Sequence, residues 1–280
     1  MTSQLEQIAE YYDQTQRLYK AFWHRDKSYA IHYGYWDIKT KNHQEALLNQ
    51  NRFMADALKI HPGAKILDAG CGIGGSALWL AKNFDVHVIG ITLSRGQLEE
   101  ARKLANNHKL QERVEFGAQD YLHTNFAKNS FDIVWGLESV CHAKRKKEFL
   151  TEAYRVLKPG GKIVVADGFL KRDVKDSEEE IYKDFIDGFV LPNIAKVDDF
   201  KKWMKEADFK NVKFWDNTEE AKPSSRIMYR RTLLFYPLAK AFHRFGLISD
   251  VVLKNSHAGI AQYKLVKKGA AGYGVFYGEK

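Results

Sequence analysis

The 280-residue sequence predicts an α/β fold in which a mostly parallel sheet is covered by helices on both faces. Between residues 65 and 216, short apolar segments alternate with longer segments whose apolar residues recur at helical spacing. A glycine-rich turn follows the first apolar segment, which is typical of a strand that leads into a helix at a ligand site. A last alternating segment, 273–278, predicts one further strand.

Seven strands are predicted, and they occupy residues 65–69, 86–91, 113–117, 131–136, 162–167, 211–216 and 273–278. Helical spacing between them predicts helices over 75–83, 95–109, 145–157 and 197–208. The third of these helices is expected to end at Lys158-Pro159-Gly160-Gly161, because proline and glycine together are a strong stop signal.

Four segments outside this alternation predict a helical cap. Residues 4–24 and 43–59 have helical spacing, so residues 1–60 are assigned to an N-terminal cap segment and residues 61–280 to the sheet domain. Two insertions in that domain, 170–195 and 218–268, are predicted to add mostly helical, aromatic-rich structure to the cap. Aromatic walls are typical of sites for apolar ligands.

Composition bounds the setting of the protein. No segment approaches the roughly 20 apolar residues of a membrane span, and the first residues lack the features of a secretory signal. A cytoplasmic location is therefore the default expectation. The two cysteines, Cys71 and Cys141, have neither a disulfide framework nor metal-ligand spacing, so no metal site is predicted.

The formal net charge is +9, which suits nucleic acid, an anionic membrane surface or an anionic substrate. The densest basic segment, Lys144–Lys147, lies at the start of a predicted helix and is predicted to form a solvent-exposed helix face. No RNA-binding motif accompanies it. Nucleic acid is therefore not the expected partner. Peripheral membrane contact stays open, and the sequence does not fix the oligomeric state.

The turn after the first strand carries four glycines within six positions, between Gly70 and Gly75. The spacing also satisfies the G-x-G-x-x-G pattern of dinucleotide-binding loops, which alone is weak evidence. Two observations oppose a dinucleotide. The second strand ends in Thr92-Leu93-Ser94 without the acid that a ribose hydroxyl requires, and Asp68 lies inside the turn. An acid there suits an ammonium or a sulfonium better than a pyrophosphate.

Four motifs occur in the order and spacing of a known family: Leu67–Gly74, Gly90–Ser94, Phe131–Trp135 and Leu157–Gly161. With them, residues 60–280 resemble class I S-adenosylmethionine-dependent methyltransferases, which implies a Rossmann-like sheet and S-adenosylmethionine as cofactor. The segments His32–Trp36 and Leu137–Ala143 are similar to one branch of that family. The branch holds tocopherol, sterol and prenyl-diphosphate methyltransferases, cyclopropane synthases and some N-methyltransferases.

The resemblance implies a set of cofactor-binding residues at the matching positions: Tyr33, Asp68, Gly70, Gly72, Gly74, Thr92, Leu93, Gln97, Asp120 and Tyr121. The three glycines would cradle the methionine part beside the aspartate. Gln97 would reach the ribose, and Asp120 would accept from the adenine amino group with Tyr121 against the ring. Tyr33 would come from the cap to cover the sulfonium.

Two of these assignments have structural alternatives. Ser94-x-x-Gln97 is also a helix capping box, in which the glutamine reaches back to the cap backbone. Asp120 lies on a loop after a strand, where it could form a turn instead of contacting adenine.

Glu138 and His142 are the candidate catalytic residues. Glu138 follows the strand 131–136 at its carboxyl end, where open α/β sheets bind ligands. A carboxylate there could remove a proton from carbon or stabilise a cation, or could bond loop amides instead. His142 could be a base on the substrate side or a structural histidine.

The predicted function is methyl transfer to a hydrophobic small molecule, with C-methylation of an isoprenoid, sterol or prenylquinol-like acceptor as the first hypothesis. The alternative is N- or O-methylation of an alkaloid, amine or other natural product. A third hypothesis is a protein that binds the cofactor without methylating. Methylation of nucleic-acid bases is disfavoured, because Gly136–Ser139 lacks the Asn/Asp-Pro-Pro-aromatic segment used there.

Overall fold

The computed structural model describes residues 3–24 and 28–280. The strands are β1 Ala64–Ala69, β2 Val86–Thr92, β3 Val114–Ala118, β4 Phe131–Leu137, β5 Leu157–Leu170, β6 Lys210–Asp216 and β7 Ala271–Glu279. The helices are α1 Gln4–Tyr19, α2 His43–Leu58, α3 Gly75–Asn83, α4 Arg95–Asn107, α5 Lys146–Val156, α6 Glu179–Gly188, α7 Val197–Glu206, α8 Thr218–Arg244 and α9 Asp250–Lys267. All seven predicted strands are therefore present.

The strands form one seven-stranded sheet in the order β3-β2-β1-β4-β5-β7-β6. Five neighbouring strands, from β3 to β5, are parallel, and β7 runs antiparallel to both β5 and β6. The predicted mostly parallel sheet is confirmed. Because parallel strands meet at one edge with their carboxyl ends, β1, β2, β4 and β5 bring the loops that follow them together.

Helices cover both faces of the sheet, as predicted. Ile66 packs with Met54 and Leu58 of α2 in a core that also contains apolar residues of α3 and α4. The next residue along β1, Leu67, packs on the opposite face in a core with residues of α5 and α7. The two faces explain why the central strands are apolar throughout, since parallel strands are buried on both sides.

The predicted helix stop at residues 158–161 is confirmed, but these residues belong to a strand that was expected to begin only at residue 162. Helix α5 ends at Val156, but β5 begins at once, and residues 158–161 stay beside β4 as a bulge between the pairs Phe131–Leu157 and Ile133–Lys162. The bulge is held because Lys158 Nζ donates to both carboxylate oxygens of Asp132. Proline and glycine here shape a strand irregularity and not a free loop.

The two N-terminal helices, α1 and α2, pack against different parts of the sheet. Helix α1, followed by a π-helical turn over Lys20–His24, covers the carboxyl edge of the sheet, while α2 contributes to the core on one sheet face. The division into a cap over residues 1–60 and a domain over 61–280 stays a prediction, and residues 1, 2 and 25–27 lie outside the described residues. The insertion 218–268 consists of the long helices α8 and α9, which pack on each other.

Gly74 caps the N-terminus of α3 with φ +83°, and a Cβ there would lie 2.5 Å from Phe116 Cζ. We expect Gly74→Ala to destabilise the fold by about 2–4 kcal/mol, as the sum of backbone strain and overpacking. Urea unfolding gives the free-energy difference. The matched control is Gly63→Ala: Gly63 has φ +75°, but no described atom lies within 4 Å of its Cβ position. The control should lose only about 1–2 kcal/mol from strain, and equal losses would contradict the packing argument.

Candidate active site

A cavity of about 810 Å³ opens at the carboxyl ends of β1, β2 and β4. The glycine turn forms its floor, and α1 covers it through Ile8 and Tyr12. The predicted cofactor residues that line it are Asp68, Gly70, Gly72, Thr92, Leu93, Gln97 and Tyr121. The structure therefore brings together seven of the ten predicted positions in the cavity that we call the cofactor cavity.

Asp68 is buried at the end of β1 with 2% of its surface exposed. Its Oδ2 atom has no hydrogen-bond partner among the described residues, although it lines the cavity. Burial raises the pKa of the carboxyl to about 7, opposed by the backbone N–H of Ala77. A buried acceptor left open is costly unless a ligand donates to it, so this oxygen is suited to an ammonium group.

The turn brings backbone close to the cavity at two glycines. Gly70 has φ +89°, and its N–H donates to Ile91 O, so the turn is pinned to β2. A Cβ on Gly70 would lie 2.4 Å from Ser139 Cβ, which leaves room for no larger residue. Gly72 also has a positive φ of +55°, and a Cβ there would lie 3.7 Å from Gln97 Nε2. Gly74 lies behind the turn against Phe116 and does not line the cavity.

Gln97 forms half of the capping box that the sequence allowed. Its backbone N–H donates to Ser94 Oγ at 3.0 Å, but its side-chain oxygen accepts from Thr92 Oγ1 at 3.0 Å. The Nε2 atom of Gln97 is buried and lacks a partner within the described part of the chain. The side chain thus offers a donor to the cavity and is not used to close the helix cap, which favours a ligand role.

Asp120 lies outside the cofactor cavity lining. Its Oδ1 accepts from Leu122 N at 2.9 Å, which is the turn-forming arrangement named as the alternative. The preceding residue, Gln119, lines the cavity instead, as does the ring of Tyr121, whose hydroxyl donates to Ser139 O at 2.8 Å. The path of the loop after a strand varies between proteins, so the sequence alone cannot decide which of two neighbouring residues faces the cavity.

A second cavity of about 650 Å³ adjoins the first, and we call it the acceptor cavity. Five residues line both cavities: Tyr12, Ile31, His32, Glu138 and His142. The rest of the wall of the acceptor cavity is largely aromatic and includes Tyr11, Tyr19, Trp23, Phe185, Phe189 and Tyr273. Tyr33 also lines this second cavity and not the cofactor cavity.

Glu138 directly follows β4 with φ +47°, a left-handed conformation that is strained for a residue with a side chain. Its N–H donates to Ala166 O at 2.8 Å, and its Oε1 accepts from the backbone N–H of Tyr33 at 2.5 Å. Burial raises the pKa of this carboxyl to about 8. The strained turn and the cap segment together hold the carboxyl at the boundary between the two cavities.

His142 has both ring nitrogens engaged. Nε2 lies 2.8 Å from Tyr12 Oη, and Nδ1 lies 3.3 Å from Val190 O. Because a carbonyl can only accept, Nδ1 carries the proton in this arrangement and Nε2 accepts from the tyrosine. Burial lowers the pKa of His142 to about 4, so the ring is neutral near pH 7.

Sequence reasoning missed a third acid, Asp167, within the last part of β5. It is buried, it lines the acceptor cavity, and it accepts from the N–H groups of Cys141 and Gly168. Burial raises its pKa to about 6. The sequence feature that could have identified Asp167 is its position, because it is an acid near the carboxyl end of an apolar strand, as Asp68 is.

Lys146 and His32 were also missed. The Nζ of Lys146, at the start of α5, donates to Cys141 O, Ala143 O and both oxygens of Asn193, so it fixes the segment that carries His142. His32 Nδ1 lies 2.8 Å from Tyr33 O, while its buried Nε2 finds no partner in the described residues. The sequence feature that could have identified His32 is its position in the aromatic segment around residue 33.

The donor set of the cofactor cavity fits S-adenosylmethionine. Open acceptor and donor atoms on Asp68 and Gln97 lie beside a glycine turn in which Gly70 has no room for a side chain, and such a turn admits a polar ligand next to the backbone. Across residues 3–24 and 28–280, no group of three or more His, Cys, Asp or Glu side chains is placed to hold a metal ion. In the same ranges, no helix combines the length and the apolar content needed to cross a bilayer.

Curated relatives cover most of the chain. A methyltransferase of Streptomyces halstedii, GfsG, is 30% identical over 220 residues, which are 78% of this chain and 78% of that protein. The chloroplastic tocopherol O-methyltransferase of Arabidopsis thaliana is 28% identical over 98% of this chain and 81% of that protein.

The fold matches a solved structure equally broadly. The [4+2]-cyclase SpnF superposes with a TM-score of 0.80 at 23% identity, over 99% of this chain and 96% of that one, which shows the shared fold. The family model for mycolic acid cyclopropane synthetase matches residues 1–233. The chain therefore belongs to the mycolic acid cyclopropane synthetase family and is an S-adenosylmethionine-dependent methyltransferase.

Proposed function

We propose that this enzyme transfers a methyl group from S-adenosylmethionine to carbon in an apolar acceptor of the isoprenoid, sterol or prenylquinol-like class. The observation that carries the proposal is Glu138, a partly buried carboxyl that lines both the cofactor cavity and the aromatic acceptor cavity. A base at that boundary reaches the carbon that has just received the methyl group. Aromatic walls suit the apolar body of such an acceptor.

We assign the cofactor to the first cavity through this chain's own polar atoms. Asp68 Oδ2 would accept from the ammonium group of the methionine part, and Gln97 Nε2 would donate to a ribose hydroxyl. The ring of Tyr121 and the amide of Gln119 lie where the adenine would be held. Gly70 and Gly72 allow the methionine part to lie against the backbone.

The cofactor supplies an electrophilic methyl group on a sulfonium. The protein aligns the acceptor carbon with that group, excludes water with α1, and takes the proton that the new bond displaces. Glu138 accepts this proton in its ionised form, and the Tyr33 N–H keeps the carboxylate oriented. The neutral ring of His142 completes the wall, and both of its nitrogens are already engaged, so we assign the base to Glu138.

The acceptor side also favours a cation. The rings of Tyr33 and Tyr273 lie 5.9 Å apart, and the carboxyl groups of Glu138 and Asp167 face the same cavity. Aromatic faces and buried carboxylates stabilise positive charge, as methylation of an alkene or aromatic carbon requires.

N- or O-methylation is the second candidate, and the name of the tocopherol O-methyltransferase favours it. An amine acceptor attacks as the neutral amine and needs little help from a base, and the ammonium product would suit the two carboxyls. The effect of removing the Glu138 carboxylate separates an amine acceptor from a carbon acceptor.

Asp68→Asn tests the cofactor assignment. We expect S-adenosylhomocysteine to bind about 10- to 100-fold more weakly by calorimetry, because a charge-assisted bond is worth about 1.5–3 kcal/mol. Since the pKa of Asp68 is about 7, wild-type affinity should also fall as pH decreases below 7 and protonates the carboxyl, and the variant should lose this dependence. Asp85→Asn, at an exposed carboxylate, is the control. Unchanged affinity in Asp68→Asn would exclude the ammonium contact.

Glu138→Gln tests the base. With tritiated methyl donor and a panel of prenylquinols, sterols and prenyl diphosphates, we expect the turnover rate to fall about 10²- to 10⁴-fold while S-adenosylhomocysteine affinity is retained. Glu219→Gln, at an exposed carboxylate, should leave turnover unchanged. Near-normal turnover of Glu138→Gln would contradict a carbon acceptor and favour an amine.

The pH profile provides a separate test of the same carboxyl. A base must be ionised, and burial holds the pKa of Glu138 at about 8, so kcat/KM should rise with pH through about 8. The residual activity of Glu138→Gln should lack this rise. A wild-type profile that is flat between pH 7 and 9 would show that Glu138 is not the titrating base.

A further inference from the structure

The second half of α8 and the turn after it form an unusual surface, which we call the α8 tip, residues 233–247. Nine large apolar side chains are exposed among the described residues, and seven belong to this tip: Leu233, Leu234, Phe235, Leu238, Phe242, Phe245 and Leu247. Leu234, Phe245 and Leu247 are 72%, 76% and 69% exposed. Exposed apolar residues concentrated in this way mark an interaction site.

The chain segment that contains the tip is strongly basic in sequence. Between residues 226 and 254 there are six basic residues and one acid, Asp250. The basic residues are Arg226, Arg230, Arg231, Lys240, Arg244 and Lys254. The single acid already pairs with His243 at 2.5 Å. Four of the basic residues (226, 230, 240 and 244) recur at the helical spacing that keeps them along one side of α8, and all four are exposed.

An apolar groove leads from this surface into the protein. It occupies about 1000 Å³ beside α8 and α9, and the tip residues Phe235, Leu238 and Phe242 line its outer part. Its inner part shares lining residues with the acceptor cavity: Tyr19, Trp23, Phe189 and Met228. The groove and the acceptor cavity therefore share a wall formed by these four side chains, and the outer end of the groove lies at the α8 tip.

We propose that the α8 tip docks on an anionic lipid bilayer, so that the groove faces the lipid and admits the acceptor from it. Protruding leucine and phenylalanine side chains beside exposed lysine and arginine are the combination that binds the interface of anionic membranes. A second copy of this chain fits less well, because a two-fold contact would place the same basic surfaces opposite each other. The entry route rests on the proposed function, whereas the docking itself does not.

Co-sedimentation of the full-length protein with vesicles tests the docking. The probes are phosphatidylcholine vesicles with and without phosphatidylglycerol, at low and high salt. We expect binding only with the anionic lipid, and an apparent affinity at least about tenfold weaker in high salt, since each basic side chain near the surface adds attraction that salt screens. Equal binding to both vesicle types would overturn the electrostatic part of the proposal.

Two matched variants test the surface. Leu234→Glu should weaken vesicle binding at least about tenfold, because it places a charge in the apolar contact. Ile38→Glu makes the same charge change at a side chain that is fully exposed elsewhere, and should bind as the wild type does. Equal binding by both variants, or a concentration-dependent dimer that Leu234→Glu dissociates, would overturn the proposal in favour of another surface or a second copy.

The outcome is distinguishable from failure of the proposed function. Vesicle binding requires neither cofactor nor turnover, so it can be measured whichever acceptor is methylated. Loss of docking in Leu234→Glu with unchanged S-adenosylhomocysteine affinity confirms a separate membrane surface. Loss of both would show that the substitution damages the fold, and Leu247→Glu, in the turn after α8, then repeats the test.

Discussion

Three buried or partly buried acids at one edge of the sheet impose the main physical constraint on this enzyme. Asp68, Glu138 and Asp167 stand at the carboxyl ends of three adjacent strands, and burial raises the pKa of each. Each of them accepts at least one hydrogen bond from a backbone N–H group. Uncompensated negative charge away from bulk water is costly, so positive charge that enters the site stabilises the ionised acids.

The surrounding structure follows from this requirement. The glycine turn brings a ligand against the backbone beside Asp68, and the strained conformation at Glu138 aims its carboxyl at the boundary of the two cavities. The positive charge of Lys146 offsets part of the negative charge of Asp167. The four hydrogen bonds of Lys146 fix the segment between β4 and α5. Burial, strain and paired backbone amides thus serve one purpose, which is to hold acids where a cation reacts.

The sequence predicted local features well and long-range ones poorly. Strand positions were predictable because parallel strands are apolar throughout, and the turn was predictable because only glycine fits its conformation. The partners of Tyr33 were not predictable, since its hydroxyl donates to Gln262, which lies 229 residues later in the chain. Asp120 was expected in the cavity lining, but Gln119 lies there instead. A loop can shift by one residue without any change in the sequence pattern around it.

Helix α1 has a kinetic consequence. Its residues line both cavities, Tyr12 bonds His142, and Asp13 accepts from Ser94 Oγ at 2.5 Å at the start of α4. One helix therefore closes the compartment of the methyl donor and that of the acceptor at the same time. A displacement of α1 that opens the cofactor cavity for exchange of spent cofactor would therefore also open one wall of the acceptor cavity, whichever route the acceptor takes.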